Sequence, residues 1–314
     1  MNKDKFNEIV NKFNTYKDKD GNNLNMHYLT IKTPNQVFYH HFKDENTPSD
    51  IRSISKTVIT LACGILIDLD KSFTLDTLVY PILKDKITIT NKDNLEHLSK
   101  LKIKHLLTHT VGYDQVLMMR NDIKDLDPYK LLDYTLNTHI KYSPGSHYLY
   151  SNASFYILSA TLQEYLQKDL IDFIHNNLFS KLNIKDYRWQ KYGDYVAGAT
   201  RLWLMPDDLL KIGIVFLSKG NFKNERIVSE SFIDKMKTIT TLTPNHHNDN
   251  SFYQRYGYGS GLWISSNDLY FGHGTDGQNL VMIPHKETII LTQANQSEVS
   301  SIEKIIDEVI VDYL

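Results

Sequence analysis

The chain has a single cysteine, Cys63, in 314 residues. No intrachain disulfide can form, and the apolar run around Cys63 marks it as a small buried side chain. No apolar stretch is long enough to cross a bilayer. Neither sign of charge dominates: 35 Lys and Arg stand against 37 Asp and Glu, intermixed along the chain. That gives no footing for a nucleic acid or a membrane surface. No internal repeat or low-complexity linker divides the sequence. Charges begin at once after Met1 and continue through Lys17-Asp18-Lys19-Asp20, without the apolar segment of a signal peptide. The expectation is a cytoplasmic protein, or a secreted one if a leader preceded this sequence. What remains is an ordinary globular composition, 41% hydrophobic, with length for one large or two smaller domains.

Strand patterns lie near both ends and helical patterns between them. Lys3 to Tyr16 places Phe6, Ile9, Val10 and Phe13 on one helical face. Met26 to Ile31 and Gln36 to Phe42 read as strands across the turn Thr33-Pro34-Asn35. Ser49-Asp50 can cap a helix that runs through the apolar segment Val58 to Ile67. From Leu75 to Tyr187 the pattern is helices and loops, and Leu202 to Leu217 reads as an amphipathic helix. Tyr258 to Ser265, Leu280 to Ile283 and Thr288 to Thr292 are short strand-like runs. Thr240 to Gln254, with His246 and His247, is a polar loop. Glu298 to Leu314 reads as a terminal helix. These patterns predict an α/β (α+β) protein. An antiparallel sheet built from both chain ends is flanked by helices (1–74 plus 200–314), and a mainly helical lobe (75–199) is inserted.

Three segments carry chemistry. Arg52-Ser53-Ile54-Ser55-Lys56 opens the apolar helix, and a serine and lysine three apart share one helical face. Ser-x-x-Lys also occurs at Ser99/Lys102 and Ser301/Lys304, but only Ser53 leads into a long apolar helix. Tyr150-Ser151-Asn152 follows about a hundred residues later, and His273-Gly274-Thr275-Asp276-Gly277-Gln278 lies near the end. Nucleophile, proton-handling groups and a turn with backbone donors are the parts of a serine acyl-transfer site. Asn152 also suits a helix N-cap, and His273 a core histidine. His105 and His109 are four apart, a spacing that zinc ligands use. No glutamate follows His105, however, and no third carboxylate is placed. Tyr253, Tyr256, Tyr258 and Trp263 fit a pocket wall or the core.

These segments resemble the serine β-lactamase / penicillin-binding-protein superfamily, in its class C β-lactamase-related branch of esterases and 6-aminohexanoate-dimer hydrolases. The resemblance runs from about Tyr28 to Ile290. Ile51-Arg-Ser-Ile-Ser-Lys-Thr-Val58 resembles the family's first motif, and Ile103-Lys-His-Leu-Leu-Thr-His-Thr-Val-Gly112 its segment ITIRHLLTHTSGL. Tyr142-Ser-Pro-Gly-Ser-His-Tyr-Leu-Tyr-Ser-Asn152 is similar to the PG…F.YSN motif. Met205-Pro-Asp-Asp-Leu-Leu-Lys-Ile-Gly213 resembles a later helix. The third motif departs: where β-lactamases carry Lys-Thr-Gly, this chain has His273-Gly274-Thr275, a form closer to esterase and peptidase members.

The resemblance implies catalysis by Ser53, Lys56 and Tyr150, with Asn152, His273, Thr275 and Asp276 binding substrate. His105 and His109 become structural, and neither metal nor cofactor is implied. The expected function is a serine hydrolase acting on small esters, amides or peptides through an acyl-enzyme. The alternatives are a D-amino-acid peptidase or esterase, a weak β-lactamase, and a non-catalytic ligand-binding member. Whether Lys56 or Tyr150 is the base stays open, as does the oligomeric state. Loss of the fixed positive charge of Lys-Thr-Gly predicts poor carboxylate binding and a preference for short uncharged acyl esters.

Overall fold

The computed structural model describes residues 1–44, 46–244 and 251–313. The centre of the 240–254 loop, with His246 and His247, lies outside them. Helix α1 (Lys3–Thr15) starts at Asn2, whose side chain accepts from the Lys5 N–H, and buries Phe6, Ile9, Val10 and Phe13. Strands β1 (Met26–Lys32) and β2 (Val37–His41) pair antiparallel. Ser49–Asp50 form a short strand, β3, rather than a helix cap. A 3-10 turn, Arg52–Ile54, then leads into α2 (Ser55–Leu69). Apolar residues surround α2, so it is buried from Ser55 to Leu66, as a helix with no polar face must be.

The helical lobe includes α3 (Ile103–Leu107) and α4 (Asn152–Leu166). Strand β4 (Tyr187–Trp189) pairs with β5 (Leu202–Leu204), and β5 with β3. The stretch 202–217 is therefore not one helix. Met205 precedes proline and is extended, with φ −68° and ψ 151°, so α5 (Pro206–Leu217) begins only at Pro206.

The remaining strands are β6 (Thr241–Leu242), β7 (Gly257–Tyr258), β8 (Trp263–Ile264), β9 (Tyr270–Gly274), β10 (Gln278–Ile283) and β11 (Thr288–Ala294). Tyr258 to Ser265 is thus a hairpin and not one strand. Its turn holds Gly261 at φ +69°, where a Cβ would collide with Thr60 of α2. Helix α6 (Ser300–Asp312) closes the chain. The sheet order is β6-β7-β8-β9-β10-β11-β1-β2, antiparallel throughout. The last strand lies beside the first, as expected from the two ends of the sequence.

Both faces of this sheet are covered. Leu280, Met282, Ile289 and Leu291 join a core with α2, α4, α5 and the lobe. Their alternates Val281, Ile283 and Ile290 join a second core with α1 and α6. This explains why β10 and β11 are buried at every position.

Candidate active site

Three of the predicted residues meet around one ammonium group. Lys56 is 1% exposed. Its Nζ donates to Ser53 Oγ at 3.1 Å, to Asn152 Oδ1 at 2.8 Å and to the carbonyl of Ala199 at 3.2 Å. It stands over the Tyr150 ring, 4.7 Å from the centroid. All three acceptors are neutral. Burial without a carboxylate partner disfavours the charged amine, and the Lys56 pKa falls to about 7.

Tyr150 is shifted the other way. Burial pushes its phenol up to about 12, against a smaller lowering by its hydrogen bond with Ser53 and by the charge of Arg255. Near neutral pH the amine can therefore hold or release a proton, while the phenol stays protonated. Asn152 is fixed by its Nδ2, which donates to the Met118 carbonyl at 3.1 Å. The N-cap of α4 is Ser151, whose hydroxyl accepts from the Ala153 N–H; Asn152 is the first helical residue.

The turn into Ser53 is held by charge. Arg52 has φ +52°, the left-handed region, which costs a non-glycine residue about 1–2 kcal/mol. Its guanidinium reaches Asp50 Oδ2 at 2.6 Å and Asp276 Oδ2 at 2.7 Å, and Asp50 also accepts from the Arg52 N–H at 2.9 Å. Asp276, itself at φ +66°, thus ties the turn after β9 to the turn before Ser53. The same surfaces touch through glycine: a Cβ at Gly274 would lie 2.8 Å from Arg52 Cβ and from the Ile51 carbonyl oxygen. Only glycine admits that approach. Thr275 follows, exposed, at the end of this contact.

His273 points elsewhere. Gly272 and Gly274 face the Ile51–Thr57 segment, so strand alternation puts His273 on the other side. There its Nε2 lies 2.9 Å from Arg255 Nη2 and 3.0 Å from Glu303 of α6. Burial lowers its pKa despite Glu303. Its Nε2 thus contacts both partners, and Arg255 also donates to Glu303. The expectation that His273 addresses substrate directly gives way to this arrangement: its Nε2 is engaged by Arg255.

Several further side chains pack around the cluster. His109 has φ +56° and lies beyond α3. Its ring packs 4.4 Å from Tyr150, and its Nε2 is 3.2 Å from the Tyr258 hydroxyl. His105 instead accepts from the Lys102 N–H at the start of α3, so the two histidines do not converge. No cluster of three or more metal-ligating side chains occurs among the described residues. Trp263 stacks on Tyr150 at 5.1 Å, and Tyr258 meets Trp263 edge-on at 5.0 Å. The family segment Ile103–Gly112 was the one available signal for His109; nothing local marked Ala199, Arg255 or Glu303.

A family model described as Beta-lactamase matches residues 30–311, and the chain belongs to the Beta-lactamase family. Its fold is similar to that of EstCE1, a hydrolase with promiscuous acyltransferase activity. The TM-score is 0.78 at 15% identity, over 98% of this chain and 97% of that one. It is similar to a penicillin binding protein from Bacillus halodurans (TM-score 0.72, 17% identity, 96% and 99% covered). A D-stereospecific amidohydrolase from a Streptomyces species is comparable (TM-score 0.72, 16% identity, 95% of each chain). Among curated proteins no sequence matches. At these identities the likeness to solved structures is one of fold. No helix among the described residues is long and apolar enough to cross a membrane.

Proposed function

We propose that the protein is a serine hydrolase of the esterase-like branch of this superfamily, acting on small esters or amides through an acyl-enzyme on Ser53. The observation that carries the reading is the buried Lys56 amine, 3.1 Å from Ser53 Oγ and surrounded by neutral acceptors. With a pKa near 7, its neutral form takes the Ser53 proton as Oγ attacks the carbonyl carbon. The carbonyl π electrons move to oxygen, and the Ser53 N–H with an N–H of the Thr275–Asp276 turn receives the oxyanion. The C–O or C–N bond to the leaving group then breaks. That group takes the proton from Lys56, relayed by the neutral Tyr150 phenol. A water attacks the acyl carbon with the same amine as base, and Ser53 Oγ leaves with the proton. Asn152 holds Lys56 in line and borders the acyl group.

Solved relatives named as a D-stereospecific amidohydrolase and a penicillin binding protein keep amide and β-lactam substrates in view. The absence of Lys-Thr-Gly at 273–275 speaks against efficient β-lactam turnover. Fluorophosphonate labelling with peptide mapping tests the nucleophile: the adduct is expected on Ser53 and absent from Ser53→Ala. An adduct that persists in Ser53→Ala would sink the assignment. Hydrolysis of p-nitrophenyl acetate and butyrate should exceed that of nitrocefin in kcat/KM, and the reverse order would favour the β-lactamase alternative.

A further inference from the structure

Beside Tyr150 lies a cavity of about 470 Å³, within the range of small-molecule sites. Tyr148, Leu149, Tyr150, Trp263 and Val116 form an aromatic and aliphatic wall, and Arg255 with Glu303 stands on another side. The cavity adjoins the chemistry directly, because Tyr150 is both its wall and the ring over which Lys56 stands, 4.7 Å from Nζ to centroid. Arg255 lies over the Trp263 ring, 5.9 Å from guanidinium carbon to centroid. Trp263 in turn stacks on Tyr150. One line of contacts thus runs from the Lys56 amine through two aromatic rings to a guanidinium.

The two bonds that Arg255 makes to His273 and Glu303 both leave from Nη2. A guanidinium has five N–H groups in a planar fork, so Nε and Nη1 carry three more, and 40% of this side chain is exposed. His273 and Glu303 hold the fork in place from below. A fixed positive charge, missing from the third sequence motif, is thereby supplied to the site by the segment before β7.

We propose that this cavity is a substrate subsite and that Arg255 is its specificity-determining residue. It would select esters or amides whose non-reacting part joins an aromatic or branched apolar group to a carboxylate. The ring lies against Tyr148, Tyr150 and Trp263, and the carboxylate takes the outer edge of the Arg255 fork. Glu303 limits the gain, since its own carboxylate already shares Arg255. The proposal rests on the hydrolase reading above and deepens it. It also replaces the expectation that carboxylates bind poorly here.

Calorimetric titration of the Ser53→Ala protein with 3-phenylpropionate and with its neutral isostere 3-phenylpropionamide tests the proposal. The carboxylate is expected to bind about 10-fold more tightly, the scale of one charge-assisted hydrogen bond. Arg255→Met on the same background should erase that preference, and Arg255→Lys should keep part of it. Arg255→Lys retains charge and length, so it reports even if the methionine variant folds poorly. Equal affinities for acid and amide, or a preference that survives Arg255→Met, would overturn the proposal. Binding is read without turnover. A failure here therefore counts against the subsite alone, while fluorophosphonate mapping separately decides the nucleophile.

Discussion

The two faces of the eight-stranded sheet are built from the same strands, yet they carry opposite kinds of interior. Against α1 and α6 the core is mostly apolar, with Phe6, Ile9, Val10, Phe13, Ile290, Ile302, Ile305, Ile306 and Val309, and its buried Asn279 is hydrogen-bonded to Tyr253 and Thr292. Against α2 the core is also dense, but it contains a lysine that is 1% exposed and a left-handed arginine bridging two aspartates. The first face stabilises the protein by removing apolar surface from water. The second gives up part of that stability to hold an amine where its proton is lightly bound. The difference supports the proposed site, because a fold optimised for stability alone has no reason to bury a lysine with no carboxylate partner.

The sharpest way to break the comparison is to make the second face resemble the first. Lys56→Met should lower kcat/KM for p-nitrophenyl acetate by about 10²–10⁴, the range for a general base. It should also raise stability. The lysine pKa is lowered from 10.5 in the unfolded chain to about 7 in the fold, so between those values the unfolded state binds the extra proton. Wild-type stability therefore rises with pH across that window. The advantage of Lys56→Met should be greatest at pH 7 and below, and should shrink toward pH 10.5. Urea unfolding at several pH values checks this; a methionine variant less stable than wild type at pH 6 would contradict it.

A cavity in the other face should behave in the opposite way. Ile9 is fully buried in α1, and Ile9→Ala should cost about 2–5 kcal/mol. Turnover per folded molecule should not change, nor should the pH at which kcat/KM reaches half its maximum. That midpoint should lie near 7, with activity rising toward alkaline pH as Lys56 loses its proton. A profile flat from pH 5 to 9, in wild type or Ile9→Ala, would remove Lys56 from the base role.

Two smaller effects sharpen the division within the second face. Tyr150→Phe removes one oxygen and should cost about 10²-fold in kcat/KM if the phenol relays the proton, while Tm moves little. Near-wild-type turnover on every ester would exclude the relay. Asp276→Asn keeps the shape of the bridge to Arg52 but removes its charge. It should lower kcat about 10-fold with KM little altered, because a charge-assisted hydrogen bond is worth about 1.5–3 kcal/mol. Steady-state kinetics separates the two constants, and a change confined to KM would show that the bridge serves binding rather than the alignment of the two turns.

Periodicity and local chemistry were enough for much of this. The apolar positions of α1 and the strands β1 and β2 rest on contacts between neighbours in sequence or on alternation, and strand patterns at both ends pointed to one sheet. Ser53 and Lys56 share a helical face for the same reason. Two boundaries differ from the periodic pattern. The strand at 202–204 ends where Met205 is extended ahead of Pro206, whereas the hairpin at 257–264 turns at Gly261 against Thr60 of α2, far away in the chain. Tertiary structure alone decided the surroundings of the candidate site. The Lys56 pKa depends on burial beneath Asn152 and Ala199, nearly a hundred and well over a hundred residues away. Arg255, His273 and Glu303 meet from three separate segments, and His109 reaches Tyr150 only because its backbone turns left-handed past α3. Local sequence fixes periodicity because backbone geometry repeats over a few residues. Desolvation and charge placement depend on which distant segments close over a side chain, and no short-range pattern encodes them.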